Sequence, residues 1–198
     1  MAMTPSNMLP LGHKAASFCL PDTSGNTVSL KDYEGSKGLV VAFICNHCPY
    51  VIHIAPQLAK IGQQYQKKGI AFVAINSNDI EQYPDDDMAH MIQEKRARQY
   101  PFAYLLDEKQ EVAKAYSAAC TPDLYLFNGE QKLVYRGQFD ASRPTRISSG
   151  VYDSSEHQAT GRDLIQAMNA LLDGHHIDTT QTPSMGCNIK WKAGNEPN

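Results

Sequence analysis

The apolar and polar positions of the chain fall into two regimes. Leu39-Val40-Val41-Ala42-Phe43-Ile44 is an unbroken apolar run of strand length, which predicts a central strand buried on both faces. The run stops at Cys45. From Pro49 the spacing turns helical: Val51, Ile54, Leu58, Ile61 and Tyr65 share one face, and Lys67-Lys68-Gly69 supplies a basic last turn and a terminal glycine. Pro56 lies inside this segment and predicts a kink. A second buried strand follows at residues 70–75, so strand, helix and strand predict a βαβ unit with parallel strands and a right-handed crossover.

The flanking segments are shorter. Strands at residues 17–20 and 27–30 around Asp22-Thr23-Ser24-Gly25-Asn26 predict an N-terminal hairpin. Pro84 with Asp85-Asp86-Asp87 predicts a helix start, running to about residue 99, because carboxylates favour the positive end of the helix dipole. On that reading the acidic triplet is a helix terminus rather than a metal site. A strand at 102–106 and a helix at about 108–117 come next, then Cys120-Thr121-Pro122 and an antiparallel hairpin from strands 124–127 and 132–135 around Asn128-Gly129. Residues 140–158 read as loop, 163–172 as a last amphipathic helix closed by Gly174, and the tail from about 175 as irregular. Residues 1–198 together predict a single α/β domain, with a mixed central sheet, helices on both faces and an inserted helix after the second parallel strand.

Composition narrows the function classes. Lys plus Arg at 18 against Asp plus Glu at 21 gives a net charge of −3, too balanced to point to nucleic acid or an anionic membrane as partner. Neither an apolar run of membrane-spanning length nor a basic, apolar leader is visible, so a cytoplasmic location is expected. Five cysteines, Cys19, Cys45, Cys48, Cys120 and Cys187, are too few and too scattered for a secreted disulfide scaffold. In a reducing compartment such cysteines are catalytic, metal-binding or buried; Cys19, within Phe18-Cys19-Leu20, is expected to be a small buried hydrophobe.

Cys45-Asn46-His47-Cys48-Pro49 joins the buried strand to the helix. A thiol at a helix N-terminus is stabilised as thiolate by unpaired backbone N–H groups and the dipole, so Cys45 is expected to be the low-pKa thiol. Cys48, three residues on, can attack a mixed disulfide formed at Cys45. Half a zinc site has the same spacing, but no second Cys-x-x-Cys and no His pair completes four ligands, and no metal or cofactor is expected. His47 sits where an imidazolium would lower the thiol pKa values and make the pair more oxidising. Asn46 shares that position, and His53 would be the further ligand if a metal were bound.

The apolar strand, Cys-x-x-Cys-Pro, the helix and the later Thr121-Pro122 opening a hairpin resemble the thioredoxin superfamily. More narrowly, Phe43-Ile44-Cys45-Asn46-His47-Cys48-Pro49-Tyr50-Val51, Cys120-Thr121-Pro122-Asp123, Tyr135-Arg136-Gly137-x-x-Asp140 and Ser184-Met185-Gly186-Cys187-Asn188-Ile189-Lys190-Trp191-Lys192 resemble bacterial thioredoxin-like proteins allied to the peroxiredoxins and the AhpC/TSA family. The resemblance implies a thioredoxin fold. It makes Cys45 the attacking thiolate, Cys48 the resolving thiol, Pro122 a cis proline facing the pair and Thr121 a backbone partner for an extended substrate strand. Two positions depart from the relatives: Leu39 stands where thioredoxin has a buried Asp, and Ala42 where peroxiredoxins have a Thr. Arg136 would stand for the arginine that activates a peroxidatic thiolate.

These readings imply thiol–disulfide exchange through Cys45 and Cys48, with protein or small-molecule disulfides as substrates and a thioredoxin- or glutathione-type reductant. The alternatives are a thiol peroxidase using Cys45 as peroxidatic cysteine, with an antioxidant role, and a metal-binding or copper-delivery module using the cysteines with His47 or His53. Cys120 and Cys187 are expected to be auxiliary, with Cys187 buried and inert in the tail.

Overall fold

In the computed structural model, residues 3–196 are described. The chain opens with β1 (Met3–Pro5), the hairpin β2 (Cys19–Pro21) and β3 (Thr27–Ser29), and β4 (Gly38–Phe43). Then come α1 (Pro49–Gln66), β5 (Ile70–Asn76), α2 (Met88–Arg98), β6 (Ala103–Leu106) and α3 (Glu111–Ala115). The remainder is β7 (Cys120–Thr121), β8 (Asp123–Asn128), β9 (Leu133–Arg136), β10 (Thr145–Ser148), β11 (Val151–Asp153), α4 (Arg162–Leu172) and β12 (Met185–Asn188). No helix among the described residues is long and apolar enough to cross a membrane.

The central sheet has the order β6-β5-β4-β8-β9. β4 pairs in parallel with β5, from Gly38 opposite Ile70 to Phe43 opposite Ile75, and antiparallel with β8, from Gly38 opposite Asn128 to Phe43 opposite Asp123. It is therefore the strand with neighbours on both edges, as its unbroken apolar run predicts. Its side chains alternate between two cores: Val40, Ala42 and Ile44 pack with α1 and with Met91, Leu164 and Met168 of α2 and α4. Leu39, Val41 and Phe43 pack on the other face with Val112 and Ala113 of α3 and with Leu9, Phe18 and Leu30 from the N-terminal segment. This is the thioredoxin fold implied by the motifs, a mixed sheet with helices on both faces.

Five local expectations need correction. Pro84–Asp86 forms a 3-10 turn, and α2 starts only after Asp87, whose Oδ1 accepts the His90 N–H at 2.9 Å as the cap. α3 is shorter than the predicted 108–117 because Gln110 adopts φ +62° and turns its amide into Ser77 O and Lys190 O at 2.7 and 2.8 Å. The stretch 140–158 contains the β10–β11 hairpin. Cys19 is exposed rather than buried, since strand alternation sends the neighbouring Phe18 into the core and turns Cys19 outward. Residues 185–188 of the tail form β12, antiparallel between β1 and β7.

α1 carries Pro56 inside its span. The carbonyl that Pro56 leaves without an N–H partner belongs to Ile52, on the exposed side of the helix and open to solvent.

Candidate active site

Central strand and helix deliver the Cys45–Cys48 turn. β4 ends at Phe43, Ile44 N–H still reaches Ile75 O at 3.0 Å, and Cys48 is the N-cap residue of α1 with Pro49 in its first turn. The helix terminus therefore acts first on Cys48, where the sequence reading put its effect on Cys45. Both cysteines are buried, at 2% and 0% exposure, and neither is in a disulfide.

Across from them lies the loop between β7 and β8, where the Thr121-Pro122 peptide bond is cis. Thr121 contacts both sulfurs: its Oγ1 is 3.5 Å from Cys45 Sγ, and its carbonyl accepts from Cys48 Sγ at 3.1 Å. The two thiols are also hydrogen-bonded to each other. Burial and that bond push Cys45 well above the ordinary thiol value. Burial acts the same way on Cys48, but hydrogen bonds from Cys187 and Cys45, together with Thr121, outweigh it and hold Cys48 well below. The two thiols are thus unequal in acidity, with Cys48 the more acidic and Cys45 the less acidic of the pair.

Asp86 is the site residue that the sequence reading missed. It is fully buried; Oδ1 accepts the Asn46 backbone N–H at 2.8 Å, and Oδ2 lies 2.7 Å from His47 Nδ1 and 2.8 Å from Asn78 Nδ2. Asn46 is held further by Asp85 O at 2.8 Å and by the Tyr104 hydroxyl at 3.0 Å. One carboxylate thus fixes both residues between the cysteines. Its hydrogen bond raises the His47 pKa above 6.5 against the opposing effect of burial, and the imidazole stacks on Tyr83 at 5.8 Å. A triplet on a helix start is a poor sequence signal for this role, because one turn of 3-10 helix decides which carboxylate points inward.

Cys45, His47 and Asp86 each place one donor atom within 4.8 Å of the others, a three-donor set that the sequence reading did not assemble. Both Asp86 oxygens are already engaged by N–H donors. His53 stands apart: it is buried on α1, its Nε2 is 2.9 Å from Ser142 Oγ, and burial lowers its pKa. With Ser142, Tyr50, Pro122 and Met185 it lines a cleft of about 20 Å³ beside the cis proline.

Arg136 is directed elsewhere. Its guanidinium donates to Leu9 O at 2.9 Å and Gln181 Oε1 at 2.7 Å, tying β9 to the N-terminal segment and the tail, so it does not serve as the activating arginine. Cys120 is buried with its sulfur 3.5 Å from Pro122 O, and burial pushes its pKa well up. Asp123, next to the cis proline, is fully buried as well; burial raises it to about 6 against hydrogen bonds from the Ser6 side chain, the Ala119 N–H and the Tyr125 hydroxyl. Cys187 is buried as expected, yet it is hydrogen-bonded to Cys48 rather than isolated in a tail.

Known proteins resemble this chain to different depths. The crystal structure of an uncharacterized conserved protein from Geobacillus kaustophilus is 47% identical, with a TM-score of 0.89 over 97% of each chain. That of a hypothetical protein from Sinorhizobium meliloti 1021 is also 47% identical, with a TM-score of 0.89 over 96% of this chain and 100% of that one. Thiol-disulfide oxidoreductase ResA of Halalkalibacterium halodurans is 24% identical over 127 residues, 57% of this chain and 72% of its own. The model of the AhpC/TSA family matches residues 11–136, a span holding the Cys45–Cys48 turn, Asp86 and the cis proline. With that span well over half the chain, the protein belongs to the AhpC/TSA family of thioredoxin-like redoxins.

Proposed function

We propose that this protein exchanges thiols and disulfides through Cys45 and Cys48. That it is an oxidoreductase follows from its family and from its similarity to ResA. The observation that carries the finer reading is the contact of both sulfurs with Thr121, at 3.5 and 3.1 Å, directly before the cis proline. Because β12 already pairs with Thr121, a substrate disulfide would reach the pair beside the cis proline and not by adding a strand at Thr121.

In the reducing direction Cys45 attacks. Its proton passes across the thiol–thiol hydrogen bond to Cys48, the substrate S–S bond breaks, and a Cys45–substrate disulfide forms. The first leaving thiolate takes the proton back from Cys48. Cys48 thiolate then attacks Cys45 Sγ, closes the Cys45–Cys48 disulfide and releases the second substrate thiolate, so two electrons pass to the substrate. His47, kept protonated by Asp86 to higher pH than an ordinary histidine, places positive charge beside the thiolates. A thioredoxin- or glutathione-type reductant in a reducing, cytoplasmic compartment would restore the dithiol.

Two observations favour exchange over peroxide reduction. Ala42 packs in the apolar core where a peroxidatic site has a hydroxyl, and Arg136 is bound to Leu9 and Gln181. The test is trapping. Cys48→Ser should accumulate mixed disulfides at Cys45 with insulin as substrate, and Cys45→Ser should lose insulin reduction. A Cys45→Ser protein that keeps full reductase activity, or a wild type that turns over peroxide but not insulin, would overturn the reading.

A further inference from the structure

Beside the Cys45–Cys48 pair, strand β12 brings up a third thiol. Directly opposed residues of an antiparallel pair point to the same face, and Cys187 opposes Thr121 while Asn188 opposes Cys120. Thr121 turns its side chain to Cys45, so Cys187 projects onto the redox face and meets Cys48 in a hydrogen bond. Cys120, one residue away, is sent to the opposite face, where its sulfur is near the Pro122 carbonyl.

The neighbouring glycine makes this approach possible. A Cβ on Gly186 would lie 2.0 Å from Thr121 O and 2.7 Å from Thr121 C, so any larger residue would push β12 away from the cis-proline loop. The strand is also locked at both ends. Ser184 Oγ donates to Gly137 O at 2.6 Å, and Lys190 N donates to Asn78 Oδ1 at 2.8 Å, on the segment that carries the Asp86 cluster. With 2% exposure, Cys187 is screened from solvent but in contact with Cys48.

We propose that Cys187 is a third redox thiol, which attacks Cys48 Sγ of the Cys45–Cys48 disulfide and takes over that bond. Cys48–Cys187 forms, Cys45–Cys48 breaks, and the proton of Cys187 ends on the leaving Cys45 sulfur; no electrons are gained or lost. The oxidised protein then stores its disulfide in the interior and presents Cys45 again as a thiol. The dithiol form restrains this step, because Cys187 donates its proton to Cys48 there and is held well above the ordinary thiol value. Once Cys48 is in a disulfide, its hydrogen bond and its charge no longer restrain Cys187, and burial alone still raises it. The inference rests on the exchange reading above and adds a second, internal acceptor to it.

The test maps disulfides in the full chain by mass spectrometry of unreduced peptides after one equivalent of diamide and acid quenching. In Cys45→Ser, the expected product is an intramolecular Cys48–Cys187 disulfide, read as a loss of 2 Da in the monomer. In the wild type, both Cys45–Cys48 and Cys48–Cys187 peptides are expected, and the second population carries an alkylated Cys45 that disappears in Cys187→Ala. Only Cys45–Cys48 in the wild type, with Cys48 and Cys187 both reduced in Cys45→Ser, overturns the proposal; if Cys45→Ser does not fold, the wild-type map decides alone. Insulin reduction by the wild type separates the two readings. Activity without the Cys48–Cys187 peptide sinks only this inference, and the peptide without activity sinks only the exchange reading.

Discussion

Asp123 gives a prediction whose size follows from the structure. Its carboxyl is fully buried after the cis proline, and Oδ2 accepts Ala119 N–H at 3.2 Å and the Tyr125 hydroxyl at 3.0 Å, with the Ser6 side chain as a further partner. Raised from 3.8 to about 6, the group binds its proton more tightly in the native state than in the unfolded chain. At about 1.4 kcal/mol per pH unit, that difference is worth about 3 kcal/mol. The sign is that of a raised pKa: the contribution is complete below the unfolded value and is lost as pH rises through the folded value near 6. From pH 4 to pH 8 the wild type should lose about 2–3 kcal/mol through this one residue. Asp123→Asn does not titrate, keeps an oxygen for the two donors, and carries a pH-independent cost for its amide NH₂. Urea unfolding of both proteins under reducing conditions across that range should give stability curves that converge or cross by about 2–3 kcal/mol. Parallel curves would refute the assignment of a raised pKa to Asp123.

Asp86→Asn should drop the His47 titration towards 6.5, followed by NMR of the imidazole protons, because the carboxylate hydrogen bond is the largest cause of its rise. In the wild type the His47–Asp86 contribution to stability is full below the unfolded pKa of His47 and is lost as pH rises through the raised one; an unchanged titration in the variant would exclude Asp86 as its partner. Gly186→Ala should cost about 1–3 kcal/mol and speed amide exchange at Cys187 and Thr121, since its Cβ meets the Thr121 backbone; unchanged exchange would show that β12 does not press on this loop. A bulky maleimide at neutral pH should label Cys19 first, as the exposed one of the five cysteines, and prior labelling of Cys45 would contradict the burial of the pair. Reduced, dialysed protein should retain less than one equivalent of zinc, because both Asp86 oxygens are already engaged by donors; stoichiometric zinc would promote the Cys45-His47-Asp86 set to a metal site.

Periodicity carried the frame of this protein. The apolar run at 39–44 and the helical spacing from Val51 to Tyr65 marked the central strand and α1, because each residue's surroundings there repeat with the period of the element. The Cys-x-x-Cys between them marked the chemistry, because its spacing is local and survives any tertiary arrangement. Long-range pairing was not legible. Met185-Gly186-Cys187-Asn188 has no strand pattern, and becomes β12 only because β1 and β7, far apart in the chain, offer it two open edges. The same holds for charge: which of three consecutive aspartates enters the site, and which of two cysteines is the more acidic, depends on partners from distant parts of the chain, among them Asn78, Thr121 and Cys187. Sequence alone determined where the closely spaced cysteine pair sits on the chain. Tertiary packing decided what surrounds it, since burial and hydrogen bonds, and so the acidity of each thiol, are properties of neighbours that no local pattern encodes.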